Sequence, residues 1–181
     1  GMVIFFSVFK EIFNKADLEA AASVSVASKA MQRCTPYLAD AETNPESMEQ
    51  IIGIIMSEYR CAGAAVIRDC QFLGRSEAFS EIELDRNTYP RLLSATQTYQ
   101  TTRISRVPLP EDAFYPLYRK YVIMSAPIIK DKEDVLSLVV LVRKNAYSHR
   151  ADIEFVTGLA NYFATQLKLA DMDKQRENLR R

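Results

Sequence analysis

The stretch YVIMSAPIIKDKEDVLSLVVLVRK, residues 121–144, sets two almost wholly apolar runs on either side of a charged hinge, Lys130 to Asp134. Two apolar runs joined by a short polar turn read as a β-hairpin. A sheet with one wet face alternates apolar and polar residues along each strand, and these runs hardly alternate. Both faces of this hairpin must therefore be covered, which excludes a simple two-layer fold with one solvated sheet face. Pro127, inside the first run, cannot donate a ladder hydrogen bond, so its strand must lack a neighbour there or bulge.

The chain has 181 residues, enough for one domain with some helical extension and short for two complete cores. Its 48% hydrophobic and 25% charged residues are those of a compact globular chain. Twenty-three basic residues balance twenty-three acidic ones, so no net field recruits nucleic acid. Cys34, Cys61 and Cys70 are an odd, widely spaced set without a C-x-x-C pair, and His149 is the single histidine. Neither a disulfide framework nor a metal site is expected, and a reducing, cytoplasmic setting fits. No G-x-S-x-G, P-loop, G-x-G-x-x-G or H-E-x-x-H pattern occurs, so no catalytic residue is assigned and no enzyme is expected.

Gly1 before Met2 reads as the scar of a cleaved tag. In MVIFFSVFKEIFNK, Lys10 and Glu11 interrupt the apolar run well short of a membrane span, whereas Phe5, Val8, Phe9, Ile12 and Phe13 recur at helical spacing. An amphipathic helical extension over residues 1–43 is expected, its stripe meeting a partner helix, with a membrane surface as the alternative. Thr35-Pro36 disfavours continuation of that helix. Asn44-Pro45-Glu46 then has the cap, N1 proline and early acid of a helix start.

Beyond it, residues 63–68 and 71–77 read as a hairpin about Asp69-Cys70, NTYPRLLSATQTY as a short helix capped near Asn87 or Thr88, and QTTRISRV as a strand. PLPEDAFYPLYRKY is an aromatic loop. The segment from Ser148 onward is a long helix with Asp152 and Glu154 in its first turns. One of its stripes runs Val156, Leu159, Phe163, Leu167 and Ala170; a second runs Phe155, Tyr162, Leu169 and Met172. Two stripes call for two partners, the chain's own sheet and a second copy of the helix. Residues 171–181 are a charged helical exit or tail, of the kind seen at the end of a coiled coil.

Residues 46 to 170 resemble a GAF domain, most clearly over VIMSAPIIKDKEDVLSLVVLVRKNAYSHRADIEFVTGLANYFATQL. The resemblance lies in a strand ending in Ala126-Pro127-Ile128, an aliphatic return strand, a loop aromatic at Tyr147, an acid at Asp152 and the terminal helix. The hairpin turn lacks the family's usual glycine, and the cyclic-nucleotide signature is only fragmentary around Asn145, Tyr147 and Asp152. The cysteines do not match the free methionine sulfoxide reductase branch, and no cysteine has the histidine cluster of bilin-binding members.

What the resemblance implies is an α+β fold for residues 44–170. A central antiparallel sheet of five or six strands would carry the N- and C-terminal helices on one face, with loops and short helices over a pocket on the other. The implied role is a small-molecule-sensing signalling module of the bacterial kind that dimerises through its terminal helices. A constitutive dimerisation scaffold with a collapsed pocket is the alternative. Candidate pocket residues are Phe114, Tyr115, Tyr118 and Arg119 from the aromatic loop, Arg75 and Arg103 from strands, and Ser125 and Ser137 from the apolar hairpin. Aromatics, tyrosine hydroxyls and arginines are the groups that orient a polar ligand against apolar walls. The candidate dimer seam is Phe155, Tyr162, Leu169 and Met172. No cofactor is identifiable; the partners expected are a second copy and an unidentified small molecule.

Overall fold

The computed structural model describes residues 25–106 and 109–180. The amphipathic stripe expected over Phe5 to Phe13 lies outside the described residues, as does Pro108. Among the described residues ten elements follow one another: α1 (residues 25–38), α2 (Pro45–Tyr59), β1 (Gly63–Arg68), β2 (Gln71–Arg75), α3 (Arg91–Tyr99), β3 (Arg103–Ile104), α4 (Tyr115–Tyr118), β4 (Tyr121–Ile129), β5 (Val135–Arg143) and α5 (His149–Arg180). A single 3₁₀ turn, Glu77–Phe79, sits between β2 and α3.

The five strands form one antiparallel sheet in the order β2-β1-β5-β4-β3. The apolar hairpin supplies two of its three inner strands, β5 at the centre and β4 beside it. Side chains alternate across the pleat. Met124, Ala126, Ile128, Leu136, Leu138 and Val140 face a helical layer of α1, α2 and α5, where they meet Cys34, Ile51, Ile55, Phe155, Leu159 and Phe163. Ile123, Val139 and Leu141, with Ala65 and Ile67 of β1, face the other way, onto Phe79, Leu93, Phe114 and Leu117. Two cores on opposite faces explain why neither run of the hairpin alternates.

β3 pairs only with Met124 and Ser125 of β4. Among the described residues no third strand accompanies β4 at Pro127, which pairs with Ser137 of β5 in unbroken register. The missing N–H of Pro127 is thus accommodated by the shortness of β3 rather than by a bulge.

Local signals placed most helix ends. The Asn44 side chain accepts from Glu46 N (3.1 Å) to cap α2, and the Asp152 carboxylate accepts from Ser148 N (2.7 Å) at the start of α5. Two boundaries differ from expectation. α1 continues through Pro36 to residue 38; Thr35 Oγ1 donates to the Met31 carbonyl (2.7 Å), and Leu38, two residues past the proline, is buried in the core. α3 begins at Arg91, beyond Asn87 and Thr88, with Pro90 as its capping residue. Its first N–H finds an acceptor far away in sequence, the Asp112 carboxylate.

Candidate functional site

β3, α3 and the segment leading into α4 enclose a cavity of about 410 Å³ beside the second core. α3 is held to the sheet beneath it by Thr96, whose buried hydroxyl hydrogen-bonds Ser125 Oγ at 2.9 Å. One wall is the edge strand: Arg103 and Ile104, continued by Ser105 and Arg106. Ser105 Oγ accepts from Ile123 N (3.1 Å), which extends the β3–β4 pairing through a side chain and leaves the serine proton free to donate. The facing wall is α3, with Arg91, Leu92 and Ala95, and Leu109, Asp112 and Tyr118 close the end.

Asp112 organises that end. Its buried carboxylate accepts from Arg91 N (3.1 Å) and Phe114 N (2.8 Å), and Tyr118 Oη donates to it at 3.4 Å. It therefore caps α3 across 21 residues of chain while turning the backbone into α4. Burial, with the Asp112 carboxylate beside it, holds the Tyr118 phenol well above its ordinary range, so it remains a proton donor. The Arg103 guanidinium lies over the Tyr99 ring, 4.4 Å from its centroid, and its Nε is buried without a hydrogen-bond partner.

Of the sequence candidates, Arg103 and Tyr118 line this cavity. Phe114 is fully buried in the second core, edge-on to Phe79 at 6.0 Å. Tyr115 and Arg119 pair with each other at the surface, the guanidinium 5.5 Å from the ring centroid. Arg75 donates to the carbonyls of Phe79 (3.4 Å) and Ile82 (3.1 Å), bracing the segment after β2. Ser125 and Ser137 both face the α3 side; Ser125 is used by Thr96, and Ser137 Oγ is buried with no partner. Arg91, Ser105, Arg106 and Asp112 were not singled out from the sequence. The run Arg103-Ile-Ser-Arg106, polar for a strand between apolar ones, was the signal available for two of them.

The proposed seam divides. Phe155 is buried and stacks on Tyr59 at 3.8 Å, and Tyr162 hydrogen-bonds Thr35, so both meet helices of the same chain. Leu169 and Met172 are 49% and 50% exposed. Among the described residues no helix is long and apolar enough to cross a membrane.

No family model and no curated protein matches the chain. Solved structures do match, with low identity. The GAF domain of A. aeolicus nlh2 in an inactive state is 12% identical with a TM-score of 0.61, covering 84% of this chain and 99% of its own. The phycocyanobilin-bound GAF domain of a cyanobacterial phytochrome is 11% identical with a TM-score of 0.61, covering 81% and 96%. The free methionine-R-sulfoxide reductase of Neisseria meningitidis, in complex with its substrate, is 7% identical with a TM-score of 0.57, covering 81% and 93%. The chain thus has a GAF-like fold.

Proposed function

We propose that this chain is a non-enzymatic sensory domain that takes a small molecule between β3 and α3 and passes its occupancy to α5. The observation that carries the reading is the double attachment of β3. Its cavity side bears Arg103, while the adjacent Thr102 hydroxyl lies 2.6 Å from the Thr157 hydroxyl of α5. β3 has only two residues and a single strand neighbour, so little pairing resists its displacement. A ligand that binds more tightly to one position of β3 would bias the position of α5 by its differential affinity.

The similar structures lend support, since the phytochrome domain holds phycocyanobilin and the reductase its substrate. Catalysis is disfavoured by the groups present: the residues around the cavity include no cysteine and no histidine. The output we propose is a homodimer contact along the distal part of α5 through Leu169 and Met172. A second reading, a constitutive dimerisation scaffold, is favoured by the complete packing of Phe79, Leu93 and Phe114 over the sheet centre.

The test is a thermal-shift screen of small metabolites on the wild type and on Ala95→Phe, whose ring would occupy the cavity. Sensing requires a compound that raises the melting temperature of the wild type and loses that effect in the variant. It also requires that this compound change hydrogen exchange in α5, and that Thr102→Val abolish the change. Hits that act equally on both proteins would refute this cavity as the sensor, and a screen without hits would favour the scaffold.

A further inference from the structure

The ionisable residues around the cavity are three arginines, Arg91, Arg103 and Arg106, and two groups already committed to one another, Asp112 and Tyr118. Asp112 is the one carboxylate, and the main-chain N–H groups of Arg91 and Phe114 together with the Tyr118 phenol occupy it. Among the described residues no ion pair joins Arg91, Arg103 or Arg106 to an acid, whereas Arg33 and Arg150 elsewhere each have one and Arg68 has two. The cavity therefore carries excess positive charge in a partly enclosed space, where screening by water is weakened.

Arg103 is the best defined of the three. Its contact with the Tyr99 ring is a cation–π contact at 4.4 Å that takes up no hydrogen-bond acceptor. Its Nε–H is buried and unpartnered, a condition native proteins rarely leave unanswered. Ser105, two residues on, accepts from Ile123 N and keeps a hydroxyl proton to give. These are donors in search of an acceptor. Leu92, Ala95 and Ile104 supply an apolar surface beside them. The volume of 410 Å³ stands near the lower end of the roughly 300–1,000 Å³ typical of ligand sites.

We infer that the cavity selects a small organic anion, its phosphate or carboxylate head on Arg103, Arg106 and Ser105 and a short apolar body over Leu92, Ala95 and Ile104. The inference rests on the sensing role proposed above and specifies its ligand class. A bidentate guanidinium contact suits either oxyanion, and the two heads differ in charge rather than in the donors they need.

Calorimetric titration of the full chain with phenyl phosphate, benzoate and phenol separates the cases, because the three share a ring and differ in the head. Binding of phenyl phosphate or benzoate at least about tenfold tighter than phenol is expected, with a loss of about tenfold or more in Arg103→Gln. The tighter of the two anions identifies the head group. Arg106→Gln, at an exposed position, should weaken the same anion and guards against a folding defect in the first variant. Phenol bound as tightly as the anions would overturn the anion class and leave the cavity a ligand site. Anion binding indifferent to both substitutions would place the anion elsewhere and overturn the inference, as would no binding by any of the three; neither result touches the Ala95→Phe test.

Discussion

At the scale of single residues, environment decided what each polar or reactive group became. The three cysteines are indistinguishable in sequence, yet Cys34 is buried and its thiol is pushed up to about 12 by desolvation, Cys61 to about 11 for the same reason, and Cys70 is exposed. The thiolate is the reactive form, so at neutral pH the two raised thiols are almost wholly protonated, Cys34 in the core and Cys61 half-buried. A disulfide-exchange reagent should therefore titrate Cys70 rapidly in the native protein and Cys61 slowly, with Cys34 appearing only on denaturation; fast modification of Cys34 would contradict the burial. The serines of the apolar hairpin make a similar contrast. Which sheet face carries them was not readable, because it depends on the register of the hairpin, and neither was the engagement of Ser125 by Thr96, which arrives from a helix 29 residues away and leaves Ser137 alone. Asp112 is the clearest omission: nothing in EDAF announces a carboxylate that caps a helix begun at Arg91.

At the scale of elements, periodicity located the strands and helices, and packing trimmed them. The β1–β2 hairpin shows how close that packing is. Gly74 has no left-handed backbone to explain it, but a Cβ there would lie 2.4 Å from Met48 Cγ and 3.2 Å from Ile52 Cγ1 of α2. The glycine is required for the approach of α2 to β2. Gly74→Val should lower stability by about 1–3 kcal/mol, since overpacking forces rotamers or backbone to shift. Urea denaturation would show it, and an unchanged midpoint and slope would mean that α2 yields freely. α1 makes the complementary point: Pro36 argued for a stop, yet the helix runs on to residue 38, where Leu38 is buried in the core. β3, read as a strand through QTTRISRV, is confined to Arg103 and Ile104, with Ser105 still bonded to Ile123 just beyond it.

At the scale of the molecule, one end of the sheet is tied together by charge. Lys130, its side chain 8% exposed, meets Glu42 at 2.9 Å, Asp134 at 3.4 Å and Asp171 at 2.5 Å, and Arg68 joins Glu42 and Asp134. The hinge of the apolar hairpin is thereby fastened to the α1–α2 connection and to α5, just where α5 starts to leave the core. Leu169 and Met172 flank that point, so the proposed dimer contact would begin where the chain's own packing ends. Leu169→Glu with Met172→Glu should convert a dimer into a monomer in light scattering with unchanged circular dichroism, because neither side chain supports the core. A wild type that is already monomeric, or a variant of unchanged mass, would remove α5 from the interface. The sequence by itself determined the order of helices and strands, the two-sided burial of the 121–144 hairpin and the long terminal helix, because hydrophobic periodicity and capping act over a few neighbouring residues; the α+β class came with the family resemblance. Only the tertiary structure decided that Phe114 fills the core while Tyr118 faces a cavity, that Asp112 caps α3, and that Arg103 carries an unpartnered donor. Those outcomes depend on groups brought together across tens of residues, and no local pattern records which of many compatible partners a side chain will meet.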